Sequence, residues 1–210
     1  MPVTEDISFE AASLMVDMLG TPYRGLKRAQ LTPGEKIAIW GAGPIGLGLL
    51  MTAKHFGMQA AVIDLSGYRL DLAQAFSPDL VLNPKTGNVN EALQDWTQGR
   101  GVAAAFECVG SEKAAQQALS VIKKRGKLVI VGVSHQLMLN PWDLICRELT
   151  LIGTRNFNTR EFDEMAGLVR TGLPLTQVVT HRFPLQEAER AFTLFRSGES
   201  GKILIVDQDP

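Results

Sequence analysis

Gly41, Gly43 and Gly46 stand in the stretch Trp40-Gly41-Ala42-Gly43-Pro44-Ile45-Gly46, directly after the apolar run Lys36-Ile37-Ala38-Ile39, and Gly46 lies 18 residues before Asp64. A chain with this pattern is confined to few folds. Residues without a Cβ let the backbone turn sharply and approach a pyrophosphate, and a helix that starts at the turn aims free N–H groups at the anion. The context needed for that reading is present: a strand before the turn, a helical pattern after it, and a second apolar run, Ala60-Ala61-Val62-Ile63, that ends in a carboxylate. The turn therefore predicts dinucleotide binding in a βαβ unit. A glycine turn that serves helix and strand packing alone is the alternative.

Strand and helix patterns alternate onward from Lys36. Strands are expected at 36–40, 60–64, 80–82, 103–107, 127–132 and 149–153, with helices at about 45–57, 67–75, 89–97, 112–121 and 141–147. Six strands joined by helical crossovers predict an α/β fold with a doubly wound, six-stranded parallel sheet. Short, continuously apolar strands such as Leu128-Val129-Ile130-Val131 suit a sheet covered on both faces. Ahead of the sheet, 8–29 reads as a helix capped by Ser8 and broken or kinked midway by Gly20 and Pro22. After Gly153 come a helix at 160–170, a strand at 178–180, a helix at 186–196 and a strand at 202–206. This tail of about fifty residues is small for an independent core and is expected to pack on something else.

Composition narrows the partners. Twenty-one basic and twenty-two acidic residues leave a formal charge of -1, which does not suggest a nucleic-acid or membrane surface. Every apolar run is cut by glycine, proline or charge before it reaches a membrane span, and residues 1–10 do not read as a signal peptide. Cys108 and Cys146 suit reduced thiols, hence a cytoplasmic protein.

Asp64, at the end of the second strand, is placed to accept hydrogen bonds from an adenosine ribose and to repel a 2′-phosphate, which predicts NAD rather than NADP; a solvated strand-end aspartate is the alternative. Arg69 either reaches back over the adenosine or pairs with Asp71 on the surface. Cys108, Val109 and Gly110 end the fourth strand and Val131, Gly132 and Val133 end the fifth, at the sheet edge where ligands of this architecture bind. His55, His135 and His181 have neither metal-ligand nor triad spacing and read as structural or surface residues. Asp17, amid Leu14, Met15, Val16, Met18 and Leu19, needs a partner, a metal or an exposed edge; spacing alone puts it on the polar side of its helix.

In order, the segments GTPYRGLKRA, LTPGEKIAIWGAGPIGL, DLSGYRLDLA, AFECVG, VTHRFPL and FRSGESGKILIV resemble the carboxyl-terminal part of the zinc-containing medium-chain alcohol and polyol dehydrogenases, with sorbitol-type and threonine-type enzymes nearest in wording. The resemblance runs from residue 7 to residue 206. It implies that Gly41, Gly43, Pro44, Ile45 and Gly46 hold the pyrophosphate, with Ile45 against the nicotinamide, and that Asp64 and Arg69 contact the adenosine ribose. It implies that Cys108, Val109, Val131, Gly132 and Val133 line the nicotinamide half, that Thr21 lies beside that ring and that Lys202 lies near the pyrophosphate. Asp17 matches the third ligand of the catalytic zinc. The family's other zinc ligands, a cysteine and a GHE histidine, belong to an amino-terminal domain that has no counterpart in this sequence, and one carboxylate is too few for a zinc centre.

The chain accordingly reads as a helical lead-in (1–31), an NAD-binding domain (32–154) and a carboxyl-terminal segment of a catalytic domain (155–210), with no catalytic residue of its own. In a complete enzyme hydride would pass between a small alcohol or polyol and NAD. Alone, the chain is expected to bind NAD(H) and turn over little or nothing. A shortened NAD(H)-binding or partner-subunit module and a zinc-free reductase relative are the rival readings. Exposed apolar surface at both ends, or a homo-oligomer (dimer or tetramer) that hides it, is a further expectation, with the edge strand 149–153 the place where two sheets would join. One departure from the family, Phe76-Ser77-Pro78 in place of Gly-Ala, requires a helix end to turn without its glycine.

Overall fold

Strand β1 (Lys36–Trp40) occupies the middle of a parallel sheet in the order β3-β2-β1-β4-β5-β6. The structure is a computed structural model that describes residues 5–133 and 136–207. The other strands of this sheet are β2 (Gln59–Ile63), β3 (Leu80–Leu82), β4 (Val102–Glu107), β5 (Ile122–Ile130) and β6 (Thr150–Gly153). Helices α3 (Pro44–His55), α4 (Gly67–Gln74), α5 (Val89–Thr97), α6 (Glu112–Ser120) and α7 (Pro141–Arg147) connect them. Alternate residues of β1 enter opposite layers: Ile37 and Ile39 join one apolar cluster with Leu14, Leu47 and Leu50, while Ala38 and Trp40 join another with Ala61, Leu93 and Leu128. The period of two and the cover on both faces explain the unbroken apolar runs. Because β1 pairs with both β2 and β4, the strand order reverses there, and a crevice opens at the carboxyl ends of these strands.

The lead-in differs from the expected kinked helix. Ser8 caps α1 (Phe9–Leu14) by accepting from the Ala11 N–H at 3.2 Å, as its sequence position predicts. The irregularity is a π-helical turn at Met15–Leu19, upstream of the expected break, after which α2 (Gly20–Ala29) continues as helix through Pro22. The Gly20 N–H reaches the Met15 carbonyl, five residues back. Pro22 has no N–H to offer the Met18 carbonyl, and α3 comes close at that carbonyl, through Gly48.

Strand β5 also departs from its expected bounds of 127–132. It begins at Ile122, which pairs with Val102, then bulges and resumes with Lys127 opposite Ala104; Arg125 takes a left-handed φ of 61° inside the bulge. The charged run from Lys123 to Arg125 disguises this start. The strand stops early because the N–H groups of Val131 and Gly132 both turn to one acceptor, the Glu107 carbonyl, at 2.9 and 2.8 Å. At the end of α4, Ser77 adopts the left-handed conformation that glycine would otherwise supply, with φ of 52°.

The tail holds α8 (Phe162–Arg170), β7 (Val179–Pro184), α9 (Ala188–Ser197) and β8 (Lys202–Val206), with β7 and β8 paired in parallel. It packs on the lead-in. Met165, Ala166, Leu175 and Val178 join the cluster of Leu14 and Met18, while Arg24 meets Glu161 at 3.1 Å and Lys27 meets Glu164 at 2.6 Å. Large apolar side chains stay exposed at both ends, among them Phe9, Val16, Phe192 and Phe195, and Trp142 and Ile145 of α7 are exposed as well. Among the described residues no helix is long and apolar enough to cross a membrane.

Candidate dinucleotide site

Each glycine of the turn answers a different local demand. Gly41 has φ of 97°, and its N–H donates to the Ile63 carbonyl at 2.7 Å, which ties the turn to β2. Gly46 packs against that bend so closely that a Cβ would sit 1.8 Å from the Gly41 carbonyl oxygen. Gly43 caps α3 from an extended conformation, and Pro44 occupies the first helical position with its fixed φ. A Cβ on Gly43 would meet only the Arg69 Nη1, at 3.8 Å, so the outer side of the turn is open. An open, glycine-walled helix start is what a pyrophosphate needs.

Asp64 stands at the carboxyl end of β2 with both oxygens engaged: Oδ2 accepts from the Ala42 N–H at 2.7 Å and Oδ1 from the Ser66 N–H at 2.8 Å. These bonds fix the carboxylate beside the turn, and each oxygen keeps a lone pair for a ribose hydroxyl. Ser66 caps α4, which sets Arg69 in the first turn. Arg69 reaches toward Gly43, its Nη1 3.8 Å from where a Cβ would stand, and its Nε is buried without a partner. An orphaned guanidinium nitrogen beside a phosphate-shaped cradle fits the cofactor's adenosine end.

At the other end of the crevice, Asp17, Thr21, Ile45, Val131, Gly132 and Val133 line an open cavity of about 530 Å³. Thr21 is buried, and its hydroxyl donates to Asp17 Oδ1 and accepts from the Asn156 N–H, each at 3.1 Å. Val133 is 93% exposed and Val109 55%, apolar surface that a flat aromatic ring would cover. Cys108 extends the β1–β4 pairing through its N–H to the Trp40 carbonyl at 2.9 Å. Burial, and after it the Glu107 carboxylate, push the Cys108 thiol above its ordinary range, so it stays protonated and unreactive at neutral pH. Lys202 lines an adjoining cavity of about 310 Å³ with Pro44, Ile45 and Phe192.

Sequence reasoning passed over two features. Glu107 is 1% exposed, and its Oε1 accepts from the N–H groups of both Val109 and Gly110 at 2.8 Å, which shapes the loop against the turn. A lone acid closing an otherwise apolar strand was the available signal. The second feature is the segment Thr154–Asn156, which completes the large cavity and carries no recognisable pattern. Of the histidines, His55 lies edge-on to Phe56 and His181 stacks on Phe183, outside the crevice; His135 falls outside the described residues.

A zinc ion does not fit the described residues by themselves. Asp17 is exposed and shares one oxygen with Thr21, and among the described residues no three His, Cys, Asp or Glu side chains gather to hold a metal. The dinucleotide fits where the metal does not.

A doubly wound α/β sheet with a glycine turn at its switch point defines a protein of the dinucleotide-fold class. The comparisons with known proteins are more specific: a model of the zinc-binding dehydrogenases matches residues 44–171, and the chain belongs to that family. The L-threonine 3-dehydrogenase of Yersinia pestis is 30% identical over 208 residues, covering 97% of this chain and 60% of that protein. Among solved structures, the alcohol dehydrogenase of Thermus sp. ATN1 superposes with a TM-score of 0.92 at 27% identity, over 98% of this chain and 61% of that one. The benzyl alcohol dehydrogenase of Acinetobacter calcoaceticus gives 0.89 at 25% identity, over 98% and 59%. The chain thus spans about 60% of the length of the relatives it matches.

Proposed function

We propose that this chain supplies the NAD(H)-holding part of a zinc-dependent alcohol or polyol dehydrogenase. The observation that carries the reading is the Asp64 carboxylate, held 2.7 Å from the Ala42 amide at the mouth of the glycine turn. Gly41, Gly43, Pro44 and Gly46 cradle the pyrophosphate, helped by Lys202; Asp64 and Arg69 take the adenosine ribose. Thr21, Ile45, Cys108, Val109, Val131, Gly132 and Val133 wall the nicotinamide. When bound, NAD accepts hydride from the substrate carbon. The chain's own residues orient the ring and exclude water from one of its faces.

The division into a lead-in (1–31), a cofactor domain (32–154) and a tail belonging to a catalytic domain (155–210) follows from this reading. Asp17 serves as one zinc ligand in a longer enzyme whose other ligands lie beyond these residues. In isolation the chain binds the cofactor as a module, a second reading that the solitary carboxylate favours, and alcohol oxidation by it falls near background. A cytoplasmic homo-oligomer is proposed, with the free edge of β6 and the exposed Trp142 and Ile145 beside it joining two copies.

Fluorescence titration with NADH tests the assignment. Asp64→Ala is expected to weaken NADH binding about tenfold, the scale of one hydrogen-bonded carboxylate in a partly open site. An affinity equal to that of the wild type removes Asp64 from the site.

A further inference from the structure

The cavity beside Ile45 has two unlike walls. Ile45, Val131 and Val133 make one of them apolar; Asp17, Thr21, Thr154 and Arg155 make the other polar. Among the described residues Arg155 has no carboxylate within ion-pair distance, as is also true of Arg28, Arg69, Arg100, Arg147, Arg160 and Arg196, but of these it alone lines the cavity. Arg155 is exposed, and it is the backbone on either side of it that is anchored. Thr154 on one side continues the sheet through its N–H to the Ile130 carbonyl at 3.0 Å, and Asn156 on the other, with a left-handed φ of 52°, is bonded to Thr21. Thr154 is 9% exposed, and its hydroxyl has no hydrogen-bond partner, which costs folding free energy unless something else in the cavity meets it.

We infer that this cavity takes a small hydroxy acid, with the alcohol directed to Asp17 and the carboxylate to Arg155. The inference rests on the proposal that the cofactor's ring lies against Ile45 and Val133. Asp17 and Arg155 line the same space yet form no ion pair with each other, so a molecule with a donor hydroxyl at one end and an anion at the other bridges them. Thr21 already donates to one Asp17 oxygen, which leaves the second to meet the substrate hydroxyl in this chain by itself, or to hold the proposed zinc in a longer enzyme. A planar carboxylate matches the guanidinium fork, and its single charge balances the one cation of this wall. A dianion such as a phosphate ester would face Asp17 with a charge left over. A neutral polyol would leave Arg155 without its partner, so the arginine sets the preference between the two classes.

The test uses the 210-residue chain saturated with NADH, titrated with 3-hydroxybutyrate and with its neutral counterpart 1,3-butanediol while NADH fluorescence is followed. The acid is expected to bind about tenfold more tightly than the diol, the scale of one charge-assisted pair discounted for exposure. Arg155→Gln is expected to erase that preference and leave NADH affinity and the melting temperature as they were; Arg155→Lys keeps part of it. Equal binding of acid and diol to the wild type, or a preference that survives Arg155→Gln, overturns the inference and leaves the cofactor assignment standing. Loss of NADH affinity in Arg155→Gln assigns the arginine to the cofactor and overturns the inference as well. Failure of the wild type to bind NADH at all contradicts the cofactor assignment itself, and with it this substrate class.

Discussion

Gly46→Ala is expected to abolish detectable NADH binding and to lower the unfolding free energy by about 3 kcal/mol, the upper range for forcing atoms into a filled space. The added Cβ would lie 1.8 Å from the Gly41 carbonyl oxygen and 2.9 Å from its carbon. Neither is the end of a flexible side chain. Gly41 cannot withdraw, because its N–H is bonded to β2 and its φ of 97° already uses the freedom that glycine has. The turn must open or the start of α3 must shift, and either movement takes the Ala42 amide away from Asp64. Urea denaturation and NADH titration on the same preparation check both parts; an affinity like that of the wild type would mean that the turn does not hold the cofactor.

Gly48→Ala tests the joint between α3 and the lead-in, and here two effects compete. Within a helix alanine is preferred to glycine by roughly 1 kcal/mol. Against that, a Cβ at position 48 would sit 2.0 Å from the Met18 carbonyl oxygen, at the place where Pro22 leaves the lead-in without a donor. Steric cost wins, and a net loss of about 2 kcal/mol is expected. Gly67→Ala is the control: nothing lies within 4 Å of its would-be Cβ and its φ is not positive, so stability should hold or rise slightly in a urea midpoint measurement. A destabilisation of similar size at both positions would show that loss of glycine itself, rather than contact with Met18, is responsible.

The sheet was legible because burial on both faces writes itself into unbroken apolar runs, so the core strands and the helices between them fall within one or two residues of where periodicity puts them. Strand β5 is the exception, since its first half is a charged bulge whose pairing with β4 depends on Val102 and Ile122, twenty residues apart in the chain. The π turn at Met15–Leu19 was hidden for a related reason: what makes it favourable is the approach of Gly48 from another helix, which leaves no trace in local spacing. Asp17 on the exposed side of its helix follows from spacing alone, whereas the turn without glycine at Ser77 was legible only through the family resemblance.

At the site, the glycines and Asp64 announce themselves because only those residue types meet their local demands. Arg69 did not. Its two readings differ by a side-chain direction that only the open space over Gly43 decides. Glu107 was passed over although the amides that it holds, those of Val109 and Gly110, are only two and three residues on, because its burial is set by the sheet around it; Arg155 shares its cavity with Thr21, more than a hundred residues away in the chain.

Calorimetric titration of the wild-type chain with NADH and then NADPH tests the central claim most directly. The account predicts one NADH site per chain, with NADPH at least about tenfold weaker because its 2′-phosphate meets the Asp64 carboxylate. Equal affinities, or no heat of binding with NADH, would contradict it.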